Sequence, residues 1–170
     1  DPLTGVYNRR TLVGLAETAI ATATHERTPL ALLAIDIDHF KRVNDHLGHD
    51  AGDEALCGLV ARLRESLRAD QMLSRIGGEE FAILLPGCDE TAAFIVGERL
   101  RKHVAQSPLS VHGRLLRLRI SIGVAALSAD APDLRALLRN ADHALYAAKR
   151  TGRNRVVARS ALPRALDTFD

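Results

Sequence analysis

Residues 30–45, LALLAIDIDHFKRVND, decide the architecture. The apolar run from Leu30 to Ile35 follows Pro29 without interruption, is too short for an ordinary helix, and suits a strand covered on both faces. Such a strand ends at Asp36. The polar bend behind it gathers Asp36, Lys41 and Asn44 around one turn instead of scattering them over a surface. A short helix is expected from about Phe40 until Gly48 breaks it. A longer one follows Asp50, a candidate cap, with Leu56, Leu59, Val60, Leu63 and Leu67 repeating on one face.

Upstream, Arg9 to His25 holds enough Leu and Ala for an amphipathic helix, entered through turn signals at Thr4-Gly5 and Asn8. Downstream, Ser74 to Leu85 reads as two short extended segments flanking Gly77-Gly78, a pair suited to a tight hairpin, with Glu79 immediately after the turn. A helix is expected from Asp89 to Gln106. Alternating Leu116, Leu118, Ile120, Ile122 and Val124 then mark a strand. From Asp133 to Arg150, Leu134, Leu137, Leu138, Ala141, Leu145 and Ala148 share one helical face. After Asn154 the chain starts strand-like and loses its periodicity around Pro163. The order is helix, strand, two helices, hairpin, helix, strand, helix, strand. It predicts an α/β domain with a central sheet backed by helices, and leaves the strand order open.

Composition agrees with one such domain: 170 residues, 46% hydrophobic and only 4% aromatic. The net charge is only +2, which argues against an indiscriminate polyanion-binding surface. It is unevenly spread. Residues 1–85 hold 9 basic and 13 acidic residues, and residues 86–170 hold 14 and 8. Two cysteines, Cys57 and Cys88, far apart and in no CxxC pattern, fit a reducing compartment and neither a disulfide scaffold nor a structural zinc site. No apolar run approaches the roughly 20 residues of a membrane helix. The domain is therefore expected to be cytoplasmic. The opening at Asp1, without an initiating Met, suggests a piece of a longer chain, whose membrane anchoring stays open. Neither a long basic stripe nor interleaved aromatics point to a nucleic-acid polymer as partner.

The informative acids are Asp36, at the strand end, and Glu79, beyond the glycines. Carboxylates from neighbouring strands can converge on Mg2+ or Mn2+ beside phosphate oxygens. Read singly, either acid is an ordinary solvated charge, and Asp38 and Glu80 are further acids with no required chemistry. His46 and His49 lie three residues apart, but without cysteine partners they read as turn structure, not a zinc pair.

Four ordered stretches carry a resemblance: DPLTGVYNRR (1–10), DIDHFKRVNDHLGHDAGD (36–53), GGEEF (77–81) and ADHALYAAKRTGRN (141–154). Together they resemble the GGDEF diguanylate cyclase family over residues 1 to about 158, leaving 159–170 as a C-terminal tail or the start of a linker. The resemblance implies a nucleotidyl-cyclase-like fold related to polymerase palms, with a mainly antiparallel central sheet surrounded by helices. It also implies condensation of two GTP into cyclic di-GMP with release of two pyrophosphates, across a homodimer and under a fused upstream sensory or regulatory domain.

By the same resemblance, Asp36, Glu79 and the Ile37 carbonyl hold the metal, and Glu79 helps deprotonate the attacking 3′-hydroxyl. Glu80 is a further acid of unassigned role. Lys41 stabilises the triphosphate at a bend shaped by Phe40, and Lys149 and Arg153 supply a second phosphate-facing group. Asn44 and Asp53 read guanine, with His49 alongside. Asp1, Thr4, Gly5 and Asn8 to Arg10 brace the domain start and couple it upstream. Apart from the resemblance, Arg75 precedes the hairpin and reads either as a brace to a carboxylate or as a surface arginine. One feature departs from the family. Its product-binding RxxD motif is here RADQ, so Arg68 matches, Gln71 stands where the acid belongs, and Asp70 is displaced by one position. Weakened or absent product inhibition is the expectation, unless a different bend of the connector lets Asp70 take the acid's place. A noncatalytic module that binds GTP or cyclic di-GMP and a purely structural dimerisation domain are the competing readings.

Overall fold

The computed structural model describes residues 1–163. Six strands form one sheet in the order β1 (Tyr7–Asn8), β3 (Met72–Arg75), β4 (Glu80–Pro86), β2 (Leu30–Ile37), β7 (Ile120–Ala126), β8 (Val156–Ala158). The inner pairs β3–β4, β4–β2 and β2–β7 are antiparallel, and the edge pairs β1–β3 and β7–β8 are parallel. The sheet is thus mixed and mostly antiparallel, and β2, the strand read from the quoted stretch, runs at its centre.

Every residue of β2 is buried because helices cover both faces. Ala31, Leu33, Ile35 and Ile37 pack on the side of α3 (His49–Glu65) and α4 (Glu90–Gln106). Leu30, Leu32 and Ala34 pack on the side of α1 (Arg9–Glu26) and α5 (Leu134–Arg150). Period-two alternation therefore aims Asp36, two residues after Ala34, toward α5. Helix α5 lies directly on the sheet at Gly123 of β7. A Cβ there would fall on the Ala141 carbonyl oxygen and the Leu145 amide nitrogen, and 2.9 Å from the Leu145 Cα.

Local chemistry explains the helix starts. Asn8, Asp89 and Asp133 each accept a hydrogen bond from the backbone N–H three residues on, at 2.9, 2.8 and 2.8 Å. The expected cap at Asp50 is displaced. Gly48, at φ 87°, holds the cap position between α2 (Phe40–Leu47) and α3 with no side-chain bond, and Asp50 lies in the first turn, where its charge favours the helix dipole.

Three strands escaped the sequence pattern. β5 (Leu109–Val111) and β6 (Arg114–Leu116) form a separate hairpin turning at His112 and Gly113, both with positive φ. The strand expected to run through Leu116 and Leu118 therefore divides, and β7 begins only at Ile120. β1 is only two residues long, which is too short for alternation to register. The expected strand after Asn154 is β8; of the expected tail, Arg159–Ala161 form one 3-10 turn, and residues 164–170 lie outside the described residues.

Candidate active site

β3 and β4 are joined by residues 76–79, so Glu79 is the last residue of the turn and β4 begins at Glu80. The N–H groups of Ile76 and Gly77 both donate to the Glu80 carbonyl, at 2.9 and 3.3 Å. Neither Gly77 nor Gly78 needs a positive φ. A Cβ at Gly77 would meet the Glu80 carboxylate, the far end of an exposed, flexible side chain that can turn aside.

Antiparallel register places Asp36 opposite Glu80, and the Ile37 N–H donates to the Glu79 carbonyl at 3.4 Å. Asp36, near the end of β2, and Glu79, in the turn just before β4, thus lie at one end of the sheet, where the Ile37 main chain bonds to Glu79. From α5, Lys149 Nζ reaches Asp36 Oδ2 at 2.6 Å, the lysine one-third exposed and the carboxylate 7%. Burial raises the Asp36 pKa above the ordinary aspartate range. The Lys149 contact opposes that shift without cancelling it, and Glu80 and Asp38 add to it. Glu79 is raised by burial first and then by the charge of Asp36. Asp142 on α5, which the sequence did not single out, is raised by burial and by Glu80.

Among the described residues no three His, Cys, Asp or Glu side chains form a metal-binding group. The donor set nevertheless fits a hard divalent cation of the Mg2+ or Mn2+ type. It offers two carboxylates that resist ionisation together, with the Ile37 main chain bonded to Glu79, and leaves coordination positions for phosphate and water.

Phe40 buries its ring in the core at the start of α2, so its share in the bend is structural, while Lys41 beside it is exposed. Asn44, half-buried, lays its amide against Gly52, where any Cβ would collide with Asn44 Oδ1. Asp53 stands exposed on the next residue of α3, so the α2–α3 junction brings Asn44 and Asp53 to one edge. His49 is exposed at the start of α3, and His46 Nδ1–H donates to the Arg42 carbonyl at 2.7 Å, a local helix contact. Arg153 is exposed in the loop after α5 at φ 60°.

The opening segment is bound to the hairpin. Asp1 Oδ1 accepts from the Thr4 N–H at 2.8 Å and from Thr4 Oγ1 at 2.6 Å, and pairs with Arg75 Nη1 at 3.3 Å. Arg75 also donates to the Gly78 carbonyl from Nε at 3.1 Å and from Nη2 at 2.8 Å. At the other end of β3, Gln71 is 7% exposed and its Oε1 accepts from the Arg68 N–H at 3.0 Å. Asp70 points to solvent, as does Arg68.

Asp38 is the residue whose part was not legible in the sequence. It is 9% exposed, and its two oxygens accept from Ser121 Oγ at 2.6 Å and from the Asn154 N–H at 2.8 Å.

The sheet order, with acids gathered at one end of its central strands and a lysine from the covering helix against them, describes an α/β domain with an acidic site at the sheet's end. Comparison with known proteins makes this specific. The model of the diguanylate cyclase GGDEF domain matches residues 1–155, and the chain belongs to that family. It is 44% identical over 163 residues to the response regulator PleD of Caulobacter vibrioides, covering 95% of this chain and 36% of that protein. A solved GGDEF-only form of YfiN (TpbB) from Pseudomonas aeruginosa superposes with TM-score 0.89 at 36% identity, covering 93% of this chain and 92% of that one. The active GGEEF domain of a diguanylate cyclase from Vibrio cholerae gives TM-score 0.83 at 37% identity, covering 90% and 97%. The chain thus spans about a third of PleD's length. No helix among the described residues is long and apolar enough to cross a membrane.

Proposed function

We propose that residues 1–158 form a diguanylate cyclase domain that condenses two GTP into cyclic di-GMP, each of two protomers presenting one nucleotide to the other. The observation that carries this reading is the meeting of Asp36, Glu79 and Lys149 at one end of the sheet, with Lys149 Nζ 2.6 Å from Asp36 Oδ2. The Vibrio cholerae domain, described as active, has the same GGEEF form of the signature, which supports turnover over silent binding.

Asn44 and Asp53 hold guanine, the amide and the carboxylate complementing its carbonyl and its N–H donors, with His49 at the rim. Lys41 and the backbone of the bend at Phe40 take the terminal phosphates, and Lys149 and Arg153 approach from the α5 side. Mg2+ or Mn2+, bound by Asp36, Glu79 and the Ile37 carbonyl, would neutralise phosphate charge and ease ionisation of the hydroxyl. Glu79 takes the proton of the 3′-hydroxyl. The freed oxygen forms a bond to the α-phosphorus of the facing nucleotide, the bond from that phosphorus to the bridging oxygen breaks, and pyrophosphate leaves. A second identical step closes the ring. Facing nucleotides in a homodimer supply the in-line geometry.

An upstream sensory or regulatory domain would set how often two protomers face each other. The buried, neutral Gln71 supports weak product inhibition at the RADQ turn. The test is cyclic di-GMP formation from GTP and Mg2+ by folded, dimeric protein, with Glu79→Ala and Asp36→Asn as controls. Turnover lost in both controls is the expected result. GTP binding without product in an enforced dimer would instead identify a noncatalytic signalling module.

A further inference from the structure

We propose that Asp38 is a positioning residue, holding the loop after α5 so that Arg153 faces the triphosphate; the inference rests on the nucleotide reading above. Asp38 lies two residues beyond Asp36, and its N–H and both carboxylate oxygens are engaged. Its N–H donates to the Arg119 carbonyl at 2.9 Å, Oδ1 accepts from Ser121 Oγ at 2.6 Å, and Oδ2 accepts from the Asn154 N–H at 2.8 Å. One buried carboxylate therefore joins the end of β2, the face of β7 and a loop 116 residues away in sequence.

That loop has an unfavourable backbone. Gly152, Arg153 and Asn154 follow one another at φ 123°, 60° and 46°, a left-handed run that two side-chain-bearing residues seldom adopt together. Its ends are tied by main-chain bonds, Arg153 N–H to the Ala148 carbonyl and Ile122 N–H to the Arg155 carbonyl, both at 2.9 Å. Between those ties Asp38 takes the Asn154 N–H in a charge-assisted bond, and Arg101 Nη1 adds a longer contact of 3.3 Å to Asn154 Oδ1. The Asp38 bond falls next to Arg153 in the chain, so it fixes the direction in which that side chain leaves the backbone. A carboxylate suits the position because it offers an acceptor to each of two donors and has no hydrogen of its own to place.

Two comparisons separate positioning from general support of the fold. Asp38→Ala is expected to weaken binding of Mg2+-GTP by roughly tenfold or more, and to leave binding of guanosine, which has no phosphate, within about twofold. Asp38→Asn should stay within about threefold of the parent for both ligands, since its amide oxygen can accept from Asn154 while its NH2 donates to Ser121 Oγ. Combined with Arg153→Ala, Asp38→Ala should add little to the loss caused by Arg153→Ala alone, because both changes remove the same contact. Additive losses, or equal losses of GTP and guanosine, would overturn the proposal. If Asp38→Ala does not fold, Ser121→Ala replaces it in the same cycle, with a smaller loss of about threefold for GTP alone; no loss would overturn the proposal. Absence of cyclic di-GMP from the parent protein would reject the catalytic reading and leave this binding cycle readable by itself.

Discussion

At one end of β3, Gln71 folds its amide inward onto the Arg68 N–H, three residues away; at the other, Arg75 sends its guanidinium to the Gly78 carbonyl and to Asp1, 74 residues away. The first turn is closed on itself and electrically neutral. The second is a junction where the opening segment, the hairpin and the carboxylate pair meet. A strand of four residues separates them, yet a side chain change at the first should alter regulation, and one at the second should alter chemistry.

The largest expected effect tests the chemical end. Glu79→Ala should lower cyclic di-GMP formation by about a thousandfold or more, measured at saturating GTP in protein that remains dimeric. Arg75→Ala comes next. Its loss frees both the Asp1 carboxylate and the Gly78 carbonyl, so turnover should fall by roughly tenfold and stability by about 1 kcal/mol, read from denaturant unfolding.

The self-contained end should respond differently. Gln71→Asp places an acid in register with Arg68, and inhibition by added cyclic di-GMP should strengthen by about tenfold while the initial rate stays within about twofold. An unchanged inhibition constant would show that the turn itself, and not the missing charge, keeps product away.

Two smaller effects follow from titration. Glu79 has a raised pKa in the fold, so the folded state binds its proton more readily than the unfolded chain does. Its contribution to stability therefore declines as pH rises from the ordinary carboxylate range toward neutrality. Glu79→Gln should accordingly stabilise the metal-free protein slightly at pH 7, solvent screening keeping the gain small, with the gain vanishing in acid. Glu98 behaves oppositely. Arg101 holds its carboxyl below the usual range through bonds of 2.9 and 3.0 Å, so the stabilisation is present at neutral pH and lost as pH falls through that lowered pKa. Glu98→Gln should cost less than about 1 kcal/mol at pH 7 and nothing at the acid end of the unfolding series.

Much of this arrangement was legible in the sequence because it is written locally. The apolar run ending at Asp36, the glycines before Glu79 and the α5 face each depend on neighbours a few residues apart. The resemblance placed Lys149 near the phosphate, and its contact with Asp36 unites the acidic first half of the chain with the basic second half. At Gly77, which the sequence marks as a turn glycine, φ is not positive. The β5–β6 hairpin stayed hidden because its alternation of apolar residues blends into that of β7 across Arg117–Arg119. Asp38 was illegible for a different reason. Its partners stand 83 and 116 residues away, and no spacing rule links a carboxylate to a distant hydroxyl and a main-chain N–H.

The close approach at Gly123 has a consequence for how this domain can vary. With the Ala141 carbonyl and the Leu145 backbone against it, position 123 tolerates no side chain without lifting α5 from the sheet. Leu145 precedes Lys149 by about one helical turn, so the lift would carry the ammonium away from Asp36. The exposed side of α5 is free to drift, as Tyr146 at 61% exposure illustrates. A library randomised along this helix and its strand should therefore retain almost any residue at 146 and almost none but glycine at 123. The most restrictive position for Lys149 would then lie on a different element and carry no functional group.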